Sequence, residues 1–313
     1  MNKKKNRIFI AGHNGMIGSA IHKKLIENSK NEVFTIERKK LDLRDQKKVF
    51  NYLKKIKPNS VILAAAKVGG ILSNNTFRGE FIYDNLAIQN NVIHGSYLSG
   101  VKNLIFLGSS CIYPKNSKQP IKEEYLLSNY LEKTNEPYAI AKIAGLNLCE
   151  SYNIQYNLNY KCLMPCNAYG INDNYNSLTS HFFPALIKKI IEASRNQKKF
   201  IEIWGKGKSL REVIFADDIA DACIYFLQKK TKHSLINIGS GIEMSITDYA
   251  KYIIKFLGLK LKIKYQKNKL EGTYRKLLDS SLSKKYGWQS KTKLNKGLKL
   301  TVDDYLTKYS KKK

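Results

Sequence analysis

The feature that most narrows the folds open to this chain is a glycine triplet, Gly12, Gly15 and Gly18, set between a short apolar run, RIFIAG (7–12), and an amphipathic stretch, SAIHKKLIEN (19–28). A strand that gives way to a helix within a few residues needs a turn too tight for a Cβ. It also needs a close approach of main chain to a ligand and a helix packed hard on its strand, and the three glycines serve these needs in order. A helix N-terminus placed there offers free N–H groups and the positive end of its dipole to a phosphate. A second apolar run, EVFTIE (32–37), follows as the next strand. The unit predicts a dinucleotide site, with Gly12, Asn14, Gly15, Met16, Ile17 and Gly18 as the pyrophosphate cradle. At the end of the second strand Glu37 suits a free ribose 2′-hydroxyl, whereas Arg38, with Lys39 beside it, suits a 2′-phosphate. The basic pair favours NADP.

Apolar runs and helical periods then alternate. Strands are predicted at 7–11, 32–37, 60–66, 103–109 and 158–164, and helices near 16–28, 45–56, 80–99 and 138–153. That alternation predicts an α/β fold with a doubly wound parallel sheet of Rossmann type. EVIFADDIADA (212–222) and LINIGS (235–240) are expected to return to the same sheet, and a helix at 245–258 and a strand at 261–266 to build a smaller C-terminal substrate domain. The expected division is 1–170 plus about 212–242 for the dinucleotide, and about 171–211 plus 243–313 for the substrate.

Within NLIFLGSSCIYP (103–114) the strand predicted at 103–109 ends on Ser109, and Tyr138-Ala-Ile-Ala-Lys142 follows downstream. Residues four apart on a helix share a face, so a phenol and an ammonium meet there. With a serine hydroxyl, they form a set able to hold a carbonyl oxygen and protonate it. A Tyr-x-x-x-Lys string is common on solvated helices. Behind a glycine turn and a strand-end serine it predicts a carbonyl reductase.

The net charge of +30 raises nucleic acid as an alternative partner. The lysines are scattered in doublets along the chain, and arginine, the preferred base reader, is scarce. The pattern predicts a solvated lysine surface that steers anionic substrates, not a nucleic-acid interface. No run of 18 apolar residues is present and MNKKKNR leads directly into the first strand, so neither a membrane span nor a leader is expected. Cys111, Cys149, Cys162, Cys166 and Cys223 are odd in number and lack paired metal-ligand spacing, which predicts no disulfide framework, no metal and a cytoplasmic setting.

Six passages carry a family resemblance: IAGHNGMIGSAI (10–21), LAAAKVGGILSNNT (63–76), FLGSSCIYPK (106–115), NEPYAIAKIAGLNLCESYN (135–153), SHFFPAL (180–186) and EGTYRKLLD (271–279). Through them nearly the whole chain resembles the extended short-chain dehydrogenase/reductases, in particular the branch that epimerises and reduces GDP-linked 4-keto-6-deoxy sugars. The resemblance implies NADPH as cofactor. It implies that Cys111 removes a proton beside the ketone, His181 returns one to the opposite face, and Tyr138 protonates the C4 oxygen. Lys142 is then expected to lower the Tyr138 pKa and hold the cofactor ribose, with Ser109 bonding the C4 oxygen. Ala64, Ala65, Leu107, Gly108, Ser110, Pro165, Cys166, Asn167, Ala168 and His181 are implied along the cofactor. Lys189, Trp204, Arg211 and Glu271 are implied to grip the GDP-sugar, and the helices near 80–99 and 138–153 to form a homodimer.

The chain departs from the family pattern at several of these places. Asn14 stands where arginine is usual in the glycine loop, Lys189 where arginine, Glu271 where aspartate and Tyr274 where proline is usual, and MPCNAYG (164–170) replaces MPTNLYG. These changes leave two alternatives beside the epimerase-reductase: a C4 reductase of a GDP-4-keto-6-deoxy-heptose with partial or no epimerase activity, and a nucleotide-binding sensor without turnover.

Overall fold

The computed structural model describes residues 5–268 and 272–309. In chain order its strands and helices are β1 (Asn6–Ala11), α1 (Met16–Ile26), β2 (Asn31–Thr35), α2 (Gln46–Ile56), β3 (Ser60–Leu63), α3 (Ile71–Thr76), α4 (Arg78–Leu98) and β4 (Asn103–Leu107). There follow α5 (Glu136–Tyr156), β5 (Asn159–Pro165), β6 (Asn167–Tyr169), α6 (Phe182–Arg195), β7 (Phe200–Trp204), β8 (Leu210–Phe215) and α7 (Ala216–Gln228). The chain continues through β9 (Leu235–Ile238), β10 (Glu243–Ser245), α8 (Ile246–Phe256), β11 (Lys262–Gln266), β12 (Arg275–Lys276), α9 (Ser281–Lys285) and α10 (Leu294–Tyr309).

Six parallel strands in the order β2-β1-β3-β4-β5-β9 form the main sheet. Their central residues are apolar on both faces because helices cover both, as a parallel sheet requires. α1 packs on α7, while α4 lies between α2 and α5. Local chemistry marks the helix ends. Asp45 caps α2 by accepting from Lys48 N, Ser245 caps α8 through Asp248 N, and Pro137 sits in the first turn of α5, where its missing N–H costs nothing. After β1 the chain builds β2 on one side and β3 on the other. The crevice at this reversal, above the strand ends, is where such sheets bind ligands.

β9 joins the main sheet at β5 as expected, but β8 does not. The free edge of β5 is taken by β9, and β8 pairs instead with β6, β10 and β12 in a second sheet. Its apolar residues contribute to both cores: Ile214 packs in the cluster around the main sheet, and Val213 and Phe215 in a second cluster with α6, α8 and α10. Leu278 and Trp288 return to the first cluster. At this crossing Glu212, fully buried, accepts from Gly241 N at 2.7 Å and Leu278 N at 2.9 Å, and its own carbonyl accepts from Asn167 Nδ2 at 2.8 Å. Among the described residues no helix is long and apolar enough to cross a membrane.

Candidate active site

The glycine turn lies at the sheet reversal. Gly12 has φ +95°, and a Cβ there would come within 2.6 Å of Ala65 N at the end of β3; one on Gly18 would fall 2.0 Å from Gly12 O. Larger residues are therefore excluded at both positions. Gly15 caps α1 without a side-chain bond, so the first-turn N–H groups of α1 are left for a ligand or solvent. Asn14 and Gly15 are exposed at this mouth, Ile17 packs on the main core, and the Met16 carbonyl accepts from Ser19 Oγ. Ala64 N bonds Ala11 O at 2.9 Å and so holds the β3 end against the turn. Arg38 and Lys39 are exposed beyond β2, and Glu37 lies close enough to His13 to pull its imidazole upward against burial and His22, which together lower it. The turn leaves the N-terminus of α1 open, and a base and an acid both stand exposed beyond the end of β2.

β4 delivers the reactive groups. Gly108 N donates to Leu163 O, and the Met164 thioether fills the space a Cβ of residue 108 would need, at 2.1 Å. Ser109 is extended and starts a single 3-10 turn, Ser110–Ile112; its Oγ accepts from Cys111 N at 3.4 Å and from Cys111 Sγ at 3.1 Å. Both contacts use the oxygen as acceptor, so the one hydroxyl proton stays available to donate. From α5, Lys142 reaches under the same loop and donates to Leu107 O at 2.8 Å. Its Nζ stands 4.6 Å from the Phe106 ring centre and 5.7 Å from that of Tyr138.

Burial lowers the Lys142 ammonium to about 8, against which the nearby Cys111 and Cys162 act. The Tyr138 phenol is pushed well up by burial and further by Cys111. Desolvation sets the direction of this shift, with Lys142 Nζ 5.7 Å from the ring centre. A phenol so held stays protonated, the form that can give a proton. Burial likewise raises the Cys111 thiol, opposed in turn by Lys276, the Ser109 bond and Lys142. His181 caps α6, and its imidazole is lowered by desolvation and by Lys276.

The other candidates fall into two groups. Pro165, Cys166, Asn167 and Ala168 run from β5 into β6: Cys166 N bonds Ile238 O, Asn167 is tied to Glu212, and Ala168 pairs with Ile214. On the far side, Lys189 Nζ donates to Glu202 O at 3.0 Å and lies 5.6 Å from the centre of the Trp204 ring, which is 40% exposed. Arg211 Nη1 bonds Leu210 O and Tyr274 O. Glu271 lies outside the described residues. Sequence reasoning passed over Lys276, whose ammonium acts on both Cys111 and His181. The sign available was a basic residue directly before two leucines in RKLLD.

A parallel doubly wound sheet with a glycine turn at its reversal, and a serine, tyrosine and lysine gathered at the ends of β4 and α5, define an extended short-chain dehydrogenase/reductase. The sequence of the family described as NAD dependent epimerase/dehydratase matches residues 8–239, and the chain belongs to that family. It is 46% identical to a GDP-L-fucose synthase of Sinorhizobium fredii, covering 96% of each chain. Among solved structures it is similar to a GDP-6-OMe-4-keto-L-xylo-heptose reductase of Campylobacter jejuni, with a TM-score of 0.90, 35% identity and coverage of 98% of this chain and 99% of the other. It is also similar to a GDP-mannoheptose C4 reductase of Campylobacter jejuni with NADP bound, with a TM-score of 0.86, 37% identity and coverage of 97% and 99%.

Proposed function

We propose that the protein is an NADPH-dependent epimerase-reductase that converts GDP-4-keto-6-deoxy-D-mannose to GDP-L-fucose. One observation carries this reading: Cys111 interacts with Ser109, Tyr138, Lys142 and Lys276, and Lys276 also acts on His181, so two acid-base groups and the reducing set share one cleft. A simple reductase needs only Ser109, Tyr138 and Lys142. A thiol and an imidazole beside them suit proton exchange next to the ketone.

The carbons flanking C4 are acidic because the electron pair left by a departing proton moves onto the C4 oxygen. Cys111, as thiolate, takes that proton and becomes a thiol. His181, as imidazolium, gives its proton to the opposite face of the carbon and becomes neutral. Ser109 keeps its proton and donates a hydrogen bond to the C4 oxygen, where negative charge gathers. NADPH, when bound, would supply a hydride, one hydrogen with its electron pair, to C4. Tyr138 then gives its phenolic proton to the C4 oxygen. Gly12, Asn14, Gly15, Met16, Ile17 and Gly18 would hold the diphosphate of the dinucleotide, Arg38 and Lys39 its 2′-phosphate, and Lys142 its ribose. In this reading 1–170 and about 212–242 make up the dinucleotide half and about 171–211 with 243–313 the GDP-sugar half, with β8 packing into both cores and Leu278 and Trp288 returning to the first.

For the GDP end, Lys189 and Arg211 offer charge to the diphosphate and Trp204 a flat face to stack on. A concavity of ≈ 690 Å³ whose lining includes Lys206, Lys208, Lys267, Tyr265 and Tyr274 lies alongside and suits an anionic nucleotide. The chain forms a homodimer through α4 and α5, where Tyr83, Leu98 and Ile154 are exposed. Five free, buried cysteines suit a reducing cytoplasm. Sedimentation should give twice the chain mass, and a monomer across the micromolar range would overturn the dimer.

In deuterium oxide without NADPH, the ketosugar should exchange its C3 and C5 protons, and Cys111→Ser should suppress this exchange about 10²–10⁴-fold. A second reading, C4 reduction of a GDP-4-keto-6-deoxy-heptose, is favoured by the close structural match to heptose reductases and by Cys166 and Ala168 in the segment after β5. NADPH oxidation without carbon-bound exchange would select it. Neither oxidation nor exchange with any GDP-ketosugar would leave the sensor.

A further inference from the structure

We propose that Lys276 is a positioning residue for the proton-transfer half of the reaction, its ammonium facing Cys111 and His181 so that the thiolate forms without waiting for the imidazole to become charged. The inference rests on the epimerase-reductase reading above. It begins from how tightly the backbone fixes this residue. Strand β12 runs parallel to β8 with Lys276 opposite Arg211. On its other side the segment is bonded to the loop that follows Cys111: Ile121 N donates to Leu277 O at 2.7 Å, Leu277 N to Gln119 Oε1 at 2.9 Å, and Gln119 Nε2 to Arg275 O at 3.3 Å.

Alternation along the strand sends the two basic neighbours opposite ways. Arg275 pairs with Glu243 at 2.8 Å. Lys276 turns toward the cleft, where it has no hydrogen bond or ion pair among the described residues. The contrast with Lys142, whose ammonium is committed to Leu107 O, is direct. The groups facing Lys276 are Cys111 and Glu132 from the loops after β4, Arg211 from β8 and His181 from α6; those facing Cys111 also include Ser109, Lys142 and Tyr138. Of these, Lys276 is the strongest influence drawing the thiol toward its ionised form, ahead of the Ser109 bond and Lys142. The same charge opposes protonation of His181. One cation thus favours the thiolate form of Cys111 and makes the imidazolium of His181, once formed, the readier proton donor.

The test is the pH dependence of iodoacetamide alkylation at Cys111, read by peptide mass on the full chain, in the parent, Lys276→Gln, Lys276→Met and Lys276→Arg. NADPH binding, followed by fluorescence, reports that each variant is folded. Lys276→Gln and Lys276→Met should move the alkylation midpoint to higher pH and slow the reaction at neutral pH about tenfold. Lys276→Arg should recover most of the rate, and exchange of C3 and C5 protons should follow the same order. Two neutral variants of different shape keep a folding defect in one from deciding the matter. An unchanged midpoint in the neutral variants overturns the proposal. So does a loss that Lys276→Arg fails to recover, or a shifted thiol with unchanged exchange. If the parent itself shows no exchange, the epimerisation reading falls, while the alkylation profile still decides the influence of Lys276 on the thiol.

Discussion

Two buried lysines, Lys142 and Lys161, are both pushed down to about 8 by desolvation, yet they stand in very different company. Lys142 ends beside an aromatic pair and a thiol, with Leu107 O as its acceptor, at the foot of the cleft. Lys161, 1% exposed, lies within β5 opposite Ile105 and donates to Asn159 Oδ1 at 2.6 Å, itself part of a chain of amides reaching Asn103. A shifted pKa therefore marks burial first. It marks chemistry only where the ammonium meets a phenol, a thiol and an open cleft.

The largest effect that could break this distinction is in the site itself. Tyr138→Phe should lower the rate of C4 reduction about 10²–10⁴-fold, because it removes the phenolic proton that the C4 oxygen takes up. Lys142→Met should follow at about 10²-fold or more, since it also leaves the Leu107 carbonyl without its donor. Both are read as NADPH consumption with the ketosugar. If Lys142→Met kept full activity, the two lysines would be equivalent and the contrast would fail.

Lys161→Met should leave turnover intact and act on stability. The folded value near 8 lies below the ordinary 10.5, so between these limits the unfolded chain holds more protons and stability rises with pH. Below pH 8 the native state must keep a charged amine out of water, and the burden is complete. The substitution should therefore stabilise the protein at pH 7 by about 1–3 kcal/mol and flatten the rise in Tm between pH 8 and 10. A Tm that fell at pH 7 would show that the bond to Asn159 outweighs desolvation.

How far the sequence could be read depended on the range of the interactions involved. The β1–glycine–α1 unit and the alternation through β5 were readable because they depend on neighbours within a few residues. Ser109, Tyr138 and Lys142 declared themselves by type and spacing, whereas Cys111 and His181 came only through resemblance: a lone thiol and a lone imidazole have no period. The place of β8 was misjudged because an apolar run announces a strand but not which sheet will take it. That choice is made by β9, further along the chain, filling the edge of β5. Spacing brings Lys142 near Tyr138 but does not reveal that one of its N–H groups is held by the Leu107 carbonyl. Lys276 was hidden by composition: in so lysine-rich a chain, another lysine reads as surface until a strand pins it.

The carboxylate of Glu212 joins backbone from two separate stretches of chain, and the residue's own carbonyl holds a third. Because one of those stretches leads to Lys276 and another follows directly from β5, the two halves of the cleft are riveted where they cross and cannot slide independently. A change at Glu212 should therefore loosen both sheets together, whereas a change in an outer loop stays local.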